Sequence, residues 1–269
     1  MSLFSERMKG VERLSKSLGE IESSYTDLVS LKRTTVGGRD VWPAYRMAVG
    51  IDVLQQVGIR RLLELTEALG RDVSAESFAP VWVGARAAME MAALMYDMTE
   101  RARACVTKPT KEAFQEFDSH LDKVYVGFKS MEWAYSEDVV AKNILTTVQR
   151  VSKRDPAPFR EALERFGGPT RDFMSAYEMV SEGAHPNYVG TVESYQRADT
   201  KTGICELIDS PVQRDPERIA IPVDFAAGAL LIAVSAARDW ESSRDAFIAL
   251  LPQYQPPPMA EPKRKPEGL

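Results

Sequence analysis

The stretch Ala226-Ala227-Gly228-Ala229-Leu230-Leu231-Ile232-Ala233-Val234 is the most apolar run of the chain and lies between Asp224 and Arg238-Asp239. It is far shorter than the ~20 apolar residues that a membrane-spanning helix needs. We therefore interpret it as the buried part of a long terminal helix that begins near Pro222 and extends to about Leu251. The sequence thus predicts a helical protein built around this core helix, with no membrane association.

Amphipathic helical patterns precede the core helix. The region 11–28 has apolar residues at alternating steps of three and four, which is the narrow a/d seam of a helix that packs on a neighbouring helix of the same chain or of a second copy. A second helix begins near Trp42-Pro43 and ends at Gly70, a typical residue after a helix C-terminus. A third begins near residues 77–80 and is apolar nearly all round, apart from Arg86 and Glu90, so it should be central.

Further helices are predicted over 110–131, where a second a/d seam occurs, and over 139–151, 158–166 and 170–185. Segments 191–196 and 203–208 flank a polar turn, which predicts a small β-hairpin near 190–209. The fold class is therefore mainly α: a single-domain bundle of seven to nine helices over 1–251. Residues 252–269 are rich in proline and basic residues and predict a disordered tail.

The overall charge and the cysteines exclude several classes of protein. The formal net charge of −5 disfavours broad nucleic-acid binding but leaves room for a local basic patch. Cys105 and Cys205 are the only cysteines and predict neither a disulfide framework nor a metal cluster. The charged N-terminus has no apolar signal-peptide segment. We expect a cytoplasmic protein.

The densest run of chemically versatile side chains is Tyr177-Glu178-Met179-Val180-Ser181-Glu182-Gly183-Ala184-His185-Pro186-Asn187-Tyr188-Val189-Gly190. Its helical pattern must end near Pro186, because proline biases the preceding residue away from the α region. His185, one of two histidines, is therefore expected at a helix end.

This run does not match the common catalytic or metal motifs. Glu182-x-x-His185 occurs once, whereas di-iron bundles need two such motifs, so we predict no metal and no cofactor. Ser181 could face His185 one helical turn away, but no Gly-x-Ser-x-Gly elbow exists. The HEPN-type RNases, small helical domains of prokaryotic defence systems, carry Arg-x(4 to 6)-His, and no arginine precedes His185 or His120 at that spacing.

A charged pair on the nearly apolar third helix needs partners, because a buried unpaired charge is costly. Arg86 and Glu90 form such a pair. Their natural partners are polar residues of the run at 177–190: Ser181, Glu182, His185, Asn187 and Tyr188. The cluster would either fix the helix end on the core or meet a ligand or partner.

Two motifs carry a family resemblance over roughly residues 80–246: Arg86-x-x-x-Glu90-x-Ala92, and Tyr-x-x-x-Ser-Glu-x-x-His-Pro-Asn-Tyr-x-Gly at 177–190. The chain resembles a group of uncharacterised bacterial helical proteins, domains of unknown function with a possible distant relationship to HEPN-like domains. The resemblance implies the helical fold and the meeting of the two motifs in space, and it supplies no reaction.

Two functions follow as hypotheses. The first is a binding or interaction module with a polar site of Arg86, Glu90, Ser181, Glu182, His185 and Asn187, which forms a homo-oligomer through its a/d seams and takes a protein partner. The second is a defence-type nucleic-acid hydrolase, with His185 as acid/base and Arg86 as phosphate clamp. An open, basic cleft at these residues would favour the hydrolase, and burial of both would exclude it.

Overall fold

The computed structural model describes residues 2–36, 46–125, 143–166, 172–185, 195–199 and 204–254. The fold is mainly α. The helices are α1 (Glu6–Lys9), α2 (Glu12–Leu31), α3 (Arg46–Ser74), α4 (Phe78–Thr107), α5 (Lys111–Tyr125), α6 (Ile144–Arg154), α7 (Ala157–Phe166), α8 (Phe173–Ala184), α9 (Pro211–Arg214) and α10 (Ala220–Tyr254), with a 3-10 helix at Pro216–Ile219.

Helices α4 and α10 form the centre of the bundle. They pack along each other, α3, α6 and α8 cover α4, and α2 and α7 cover α10. Buried alanines on both central helices allow this close approach, because the distance between packed helices depends on the side chains at the contact. They are Ala85, Ala88, Ala92 and Ala93 on α4 and Ala226, Ala229, Ala233 and Ala236 on α10. The central position of the third helix and the buried core helix are therefore confirmed.

Within the described residues, one helical stretch, Pro216–Tyr254, is long and apolar enough to cross a membrane by length and composition. However, 83% of its most apolar window is buried inside the protein. Its apolar surface is thus already covered by the other helices of this chain, as in the core helix of a bundle.

The described parts of both a/d seams pack inside the chain, whereas residues 126–131 of the second seam lie outside the described residues. On α2, Leu14, Leu18 and Ile21 are buried in the main core with α3 and α10. On α5, Phe114 and Phe117 belong to a second, smaller core near the end of α10. The described seam residues therefore have neighbours in the same chain, and self-association stays a prediction.

The number of helices differs from the predicted seven to nine, and the ends of two helices differ from their predicted positions. The described residues contain ten α-helices, because the one-turn helices α1 and α9 are too short to show an apolar period. Helix α3 continues through Gly70 to Ser74. A Cβ on Gly70 would lie 2.8 Å from the carbonyl oxygen of Leu3, so this glycine permits a close backbone approach. Helix α10 extends three residues past Leu251, where Tyr254 stacks on Phe114.

Two short strands, β1 (Gln196–Asp199) and β2 (Ile204–Leu207), pair antiparallel. Strand β1 occupies residues that the sequence assigned partly to the turn. Residues 200–203 and 186–194 lie outside the described part of the chain, so the complete hairpin stays a prediction. The predicted tail falls outside it too, from residue 255 onward.

Candidate functional site

Helix α8 positions several side chains of the candidate site, and the local sequence determines where this helix begins and ends. At its start, the Asp172 carboxylate accepts a hydrogen bond from the Ser175 backbone N–H at 2.8 Å, and the Ser175 side chain completes a capping box. The bond from Ser175 holds the pKa of Asp172 below its ordinary value. At its end, His185 has an extended backbone, and its N–H caps the Ser181 carbonyl. The predicted stop before Pro186 is thus where the helix ends.

Helix α8 lies against α4 along a buried face that includes Phe173, Ala176, Tyr177 and Val180. Packing of this face directs the Tyr177 hydroxyl toward α4 and brings the C-terminus of α8 over Arg86. Residues that are about 90 positions apart in sequence therefore meet at one place.

Four side chains form a hydrogen-bonded group that we call the Arg86 network: Arg86, Glu90, Tyr177 and His185. Arg86 Nε donates to Glu90 Oε1 at 3.1 Å, and Arg86 Nη2 donates to the Tyr177 hydroxyl at 3.3 Å. The Tyr177 hydroxyl donates in turn to Glu90 Oε1 at 2.8 Å. Arg86 Nη1 lies 3.1 Å from His185 Nε2, and because arginine only donates, this ring nitrogen is the acceptor in the contact.

The network keeps Arg86 charged. Burial acts to lower the pKa of Arg86, but the contacts with Tyr177 and Glu90 outweigh it and raise that pKa. Burial and the bond to Glu90 also raise the pKa of Tyr177, so its hydroxyl stays protonated as a donor. The arginine cation is therefore fixed in place with one edge of its guanidinium group directed at the imidazole ring.

Beside the network lies a cavity of about 420 Å³, which we call the Arg86 cavity. Its apolar wall comes from α6 and α8 through Ile144, Leu145 and Met174. Its remaining lining is polar: Arg86, Asn143, Tyr177, Glu178, Ser181, Glu182 and His185. The site is open to solvent, since His185 is exposed and the Arg86 side chain is 30% exposed.

The cavity is not basic. Glu178 and Glu182, both exposed, lie in its lining, and Glu90 pairs with Arg86. Of the two criteria set by the hydrolase hypothesis, the openness of the cleft is met and the basic surroundings are not.

The structure brings together most of the predicted site residues. Arg86, Glu90 and His185 share hydrogen bonds, and Ser181 and Glu182 line the cavity. Asn187 lies outside the described residues, as does Tyr188. Ser181 does not pair with His185; its Oγ is buried and has no hydrogen-bond partner within the described part of the chain. A hydroxyl without a base beside it is not an activated nucleophile.

Sequence reasoning missed two parts of the site. Tyr177 belongs to the motif at 177–190, but the sequence did not indicate a role for its hydroxyl. This hydroxyl links α8 to both charges on α4. The wall from α6 has no counterpart in the sequence pattern, since Ile144 and Leu145 are ordinary apolar residues after the N-cap Asn143. Among the described residues, no three His, Cys, Asp or Glu side chains are placed to hold a metal ion.

Comparisons with known proteins find no match: no protein-family model, no curated protein and no solved structure matches this chain. The geometry of the Arg86 cavity is therefore what a functional proposal has to rest on.

Proposed function

We propose that this protein is a binding module and that the Arg86 cavity is its binding site. The observation that carries the proposal is the Arg86 guanidinium group, held by Glu90 and Tyr177 beside an open cavity with an apolar wall. A site whose polar groups are positioned before the ligand arrives loses little entropy on binding. Ligand sites are usually concave and combine apolar surface with convergent polar groups, and this cavity has both.

The lining indicates the chemistry of the ligand. Arg86 can donate to a carbonyl or carboxylate oxygen, and the apolar wall can cover an aliphatic group. The carboxylates of Glu178 and Glu182 favour a positive charge at the same site. These three features together fit a peptide segment that carries both aliphatic and basic side chains. A protein partner with such a segment is the ligand that we propose.

A second candidate is the nucleic-acid hydrolase, because Arg86 and His185 lie 3.1 Å apart in an open cleft. An arginine and a histidine at this distance could bind a phosphate and transfer a proton. The glutamates in and beside the cavity argue against it, since they would repel a polyanionic backbone.

The binding proposal is tested with an acetylated, amidated octapeptide of alternating leucine and lysine as the probe. Binding is measured by titration calorimetry against the wild type, Arg86→Gln and Glu178→Gln. We expect Arg86→Gln to weaken binding about tenfold and Glu178→Gln about two- to fivefold. The matched control is Glu161→Gln, an exposed glutamate on α7 away from the cavity, which should leave the affinity unchanged.

Two results would overturn this proposal. One is equal binding by all four proteins, which would mean that the peptide recognises only the net negative charge. The other is the absence of binding by the wild type at millimolar peptide. A peptide with glutamate in place of lysine serves as the charge control and should bind more weakly.

The hydrolase candidate is tested with the wild type and His185→Ala on single- and double-stranded RNA and DNA, with and without divalent metal. Because His185 is exposed, we expect the substitution to change the Tm little. We expect no cleavage by either protein. Cleavage by the wild type that a folded His185→Ala protein loses would replace the binding proposal by the hydrolase.

The resemblance to uncharacterised bacterial helical proteins, the possible HEPN-like relationship and a cytoplasmic location remain part of the proposal. Self-association also stays a prediction. Because the described parts of both a/d seams are buried within one copy, self-association would require a surface other than those parts.

A further inference from the structure

A second polar group lies farther along α4, around Asp97. This residue is eleven positions after Arg86, which corresponds to about 16 Å along the helix. The Asp97 carboxylate is fully buried and receives side chains from α4, α5 and α6. We call the surrounding cations the Asp97 arginines: Arg101, Arg150 and Arg154.

All three arginines contact the same carboxylate. Arg101 Nε lies 3.1 Å and Arg150 Nη1 2.8 Å from Asp97 Oδ2, and Arg154 Nη1 lies 3.3 Å from Oδ1. His120 Nε2, from α5, lies 3.4 Å from Oδ2 on the buried side. The carboxylate oxygens are therefore surrounded by donors.

Among the described residues in contact here, the positive charges outnumber the negative ones. Three guanidinium cations face one buried carboxylate, and the second acid in contact, Glu116 at Arg101, is 77% exposed and screened by solvent. One carboxylate can neutralise only one of the three guanidinium cations. The remaining positive charges are held close together and repel each other. Burial alone would raise the pKa of Asp97, but the hydrogen bond with His120 and the contacts with Arg101 outweigh it and lower that pKa.

The side chains of Arg150 and Arg154 are still partly accessible, whereas Arg101 is mostly buried. Arg150 and Arg154 are 27% and 30% exposed, and Asp97 takes one N–H from each. An arginine has five N–H donors in a planar fork that matches the oxygens of a phosphoryl group. Arg150 and Arg154 are four residues apart on α6, so both present their remaining donors from one side of that helix.

We propose that the Asp97 arginines bind a phosphoryl anion at the surface between α4 and α6. Asp97 fixes the three side chains, and the anion neutralises the charge that Asp97 leaves over. The site is separate from the Arg86 cavity, although α6 contributes to both: its first residues form the apolar wall and its last turns carry Arg150 and Arg154.

The test is thermal unfolding of the full chain with inorganic phosphate, compared with sodium chloride at equal ionic strength. Since a ligand that binds only the folded state stabilises it, we expect phosphate to raise the Tm by about 2–4 °C. The double variant Arg150→Gln/Arg154→Gln should lose this rise. The control Arg160→Gln, which removes an exposed arginine paired with Asp155, should keep it.

Asp97→Asn sharpens the test, because it leaves three cations without their carboxylate. This variant should unfold at a lower temperature and gain more from phosphate than the wild type does. If Asp97→Asn does not fold, the comparison of Arg150→Gln/Arg154→Gln with Arg160→Gln still tests whether phosphate binds at the Asp97 arginines. A Tm rise equal in phosphate and chloride, or one that survives in the double variant, would overturn the proposal.

The source of the phosphoryl group is separated by two further probes, a nucleoside monophosphate and a single-stranded RNA decamer. Because the net charge of the chain is −5, we expect the mononucleotide to bind at least as tightly per phosphate as the decamer. Decamer binding that falls steeply with salt and is lost in the double variant would assign the same site to a nucleic-acid backbone.

Discussion

Gly183 of α8 lies directly against the indole ring of Trp82 of α4. A Cβ built on Gly183 would lie 2.7 Å from Cζ3 of Trp82 and closer still to two other ring carbons. Any larger residue at this position would push α8 away from α4. Because His185 follows Gly183 by two residues, this contact also determines how closely the imidazole approaches Arg86.

Gly183→Ala should therefore destabilise the protein. The buried Trp82 ring is rigid, so an added methyl group would overpack this contact. We expect the free energy of unfolding to fall by about 1–3 kcal/mol. Equilibrium urea denaturation measures it. The variant should also weaken peptide binding in the Arg86 cavity, since it separates His185 from Arg86.

The matched control is Gly19→Ala on the exposed side of α2. A Cβ on Gly19 would meet nothing within 4 Å. Alanine is the better helix former, so this variant should be more stable than the wild type by roughly 0.5–1 kcal/mol. If both alanine variants shift stability in the same direction, the contact between Gly183 and Trp82 does not restrict residue size.

Tyr177→Phe removes the hydroxyl that joins α8 to both charges on α4. This hydroxyl donates to Glu90 and accepts from Arg86 inside a mostly buried contact, so we expect a loss of about 1–2 kcal/mol in unfolding free energy. Tyr25→Phe is the control, because Tyr25 donates to Glu67 at an exposed position and should cost less than ~0.5 kcal/mol. Equal losses in the two variants would mean that the Arg86 network adds nothing to stability.

The helical architecture could be predicted because helix period is a local property of sequence. The a/d spacing of Leu14, Leu18 and Ile21 is enough to identify one face of α2, whatever that face contacts. Helix ends depend on contacts that are distant in sequence. Gly70 has the character of a helix stop, yet it lies inside α3, because its missing side chain makes room for the backbone of Leu3.

In the candidate site too, the features that depend on local sequence could be predicted, and those that depend on long-range packing could not. Pro186 predicts where α8 ends, and the position of Arg86 and Glu90 on a nearly apolar helix predicts that they need partners. The distance between Arg86 and His185 follows only from the packing of α8 on α4. The Asp97 arginines were missed altogether: two of them come from α6, more than 50 residues later, and nothing in the sequence around Arg150 or Arg154 indicates their shared partner.

Asp97 should make the protein sensitive to acid. Its pKa is lower in the folded state than in the unfolded chain, where an aspartate has a pKa of about 3.9. The unfolded state therefore takes up the proton first as the pH falls. The stability that Asp97 contributes is fully present above the unfolded pKa and is lost as the pH drops through the lower folded pKa.

Asp97→Asn checks this contribution by urea denaturation at a series of pH values. At neutral pH we expect it to cost roughly 2–4 kcal/mol, somewhat less than a fully buried ion pair, because the arginines are partly exposed. The gap in unfolding free energy between variant and wild type should narrow below about pH 4. A gap that stays constant down to the lowest measurable pH would contradict the assigned role of Asp97.

Cys105 should be unreactive in the folded protein. Burial, with a smaller effect from Glu116, raises the pKa of its thiol to about 11, and its Sγ lies 3.5 Å from the Ala113 carbonyl oxygen. At about pH 8 only ~0.1% of such a thiol is thiolate, the form that reacts with disulfide reagents.

In a Cys205→Ser variant, where Cys105 is the remaining cysteine, Ellman's reagent should detect no thiol under native conditions and one thiol after unfolding in guanidinium. The native reaction should be as slow as unfolding itself, because only the unfolded chain exposes the sulfur. Rapid labelling of the native variant, with no loss of helical circular dichroism, would mean that the second core opens around Cys105 without global unfolding.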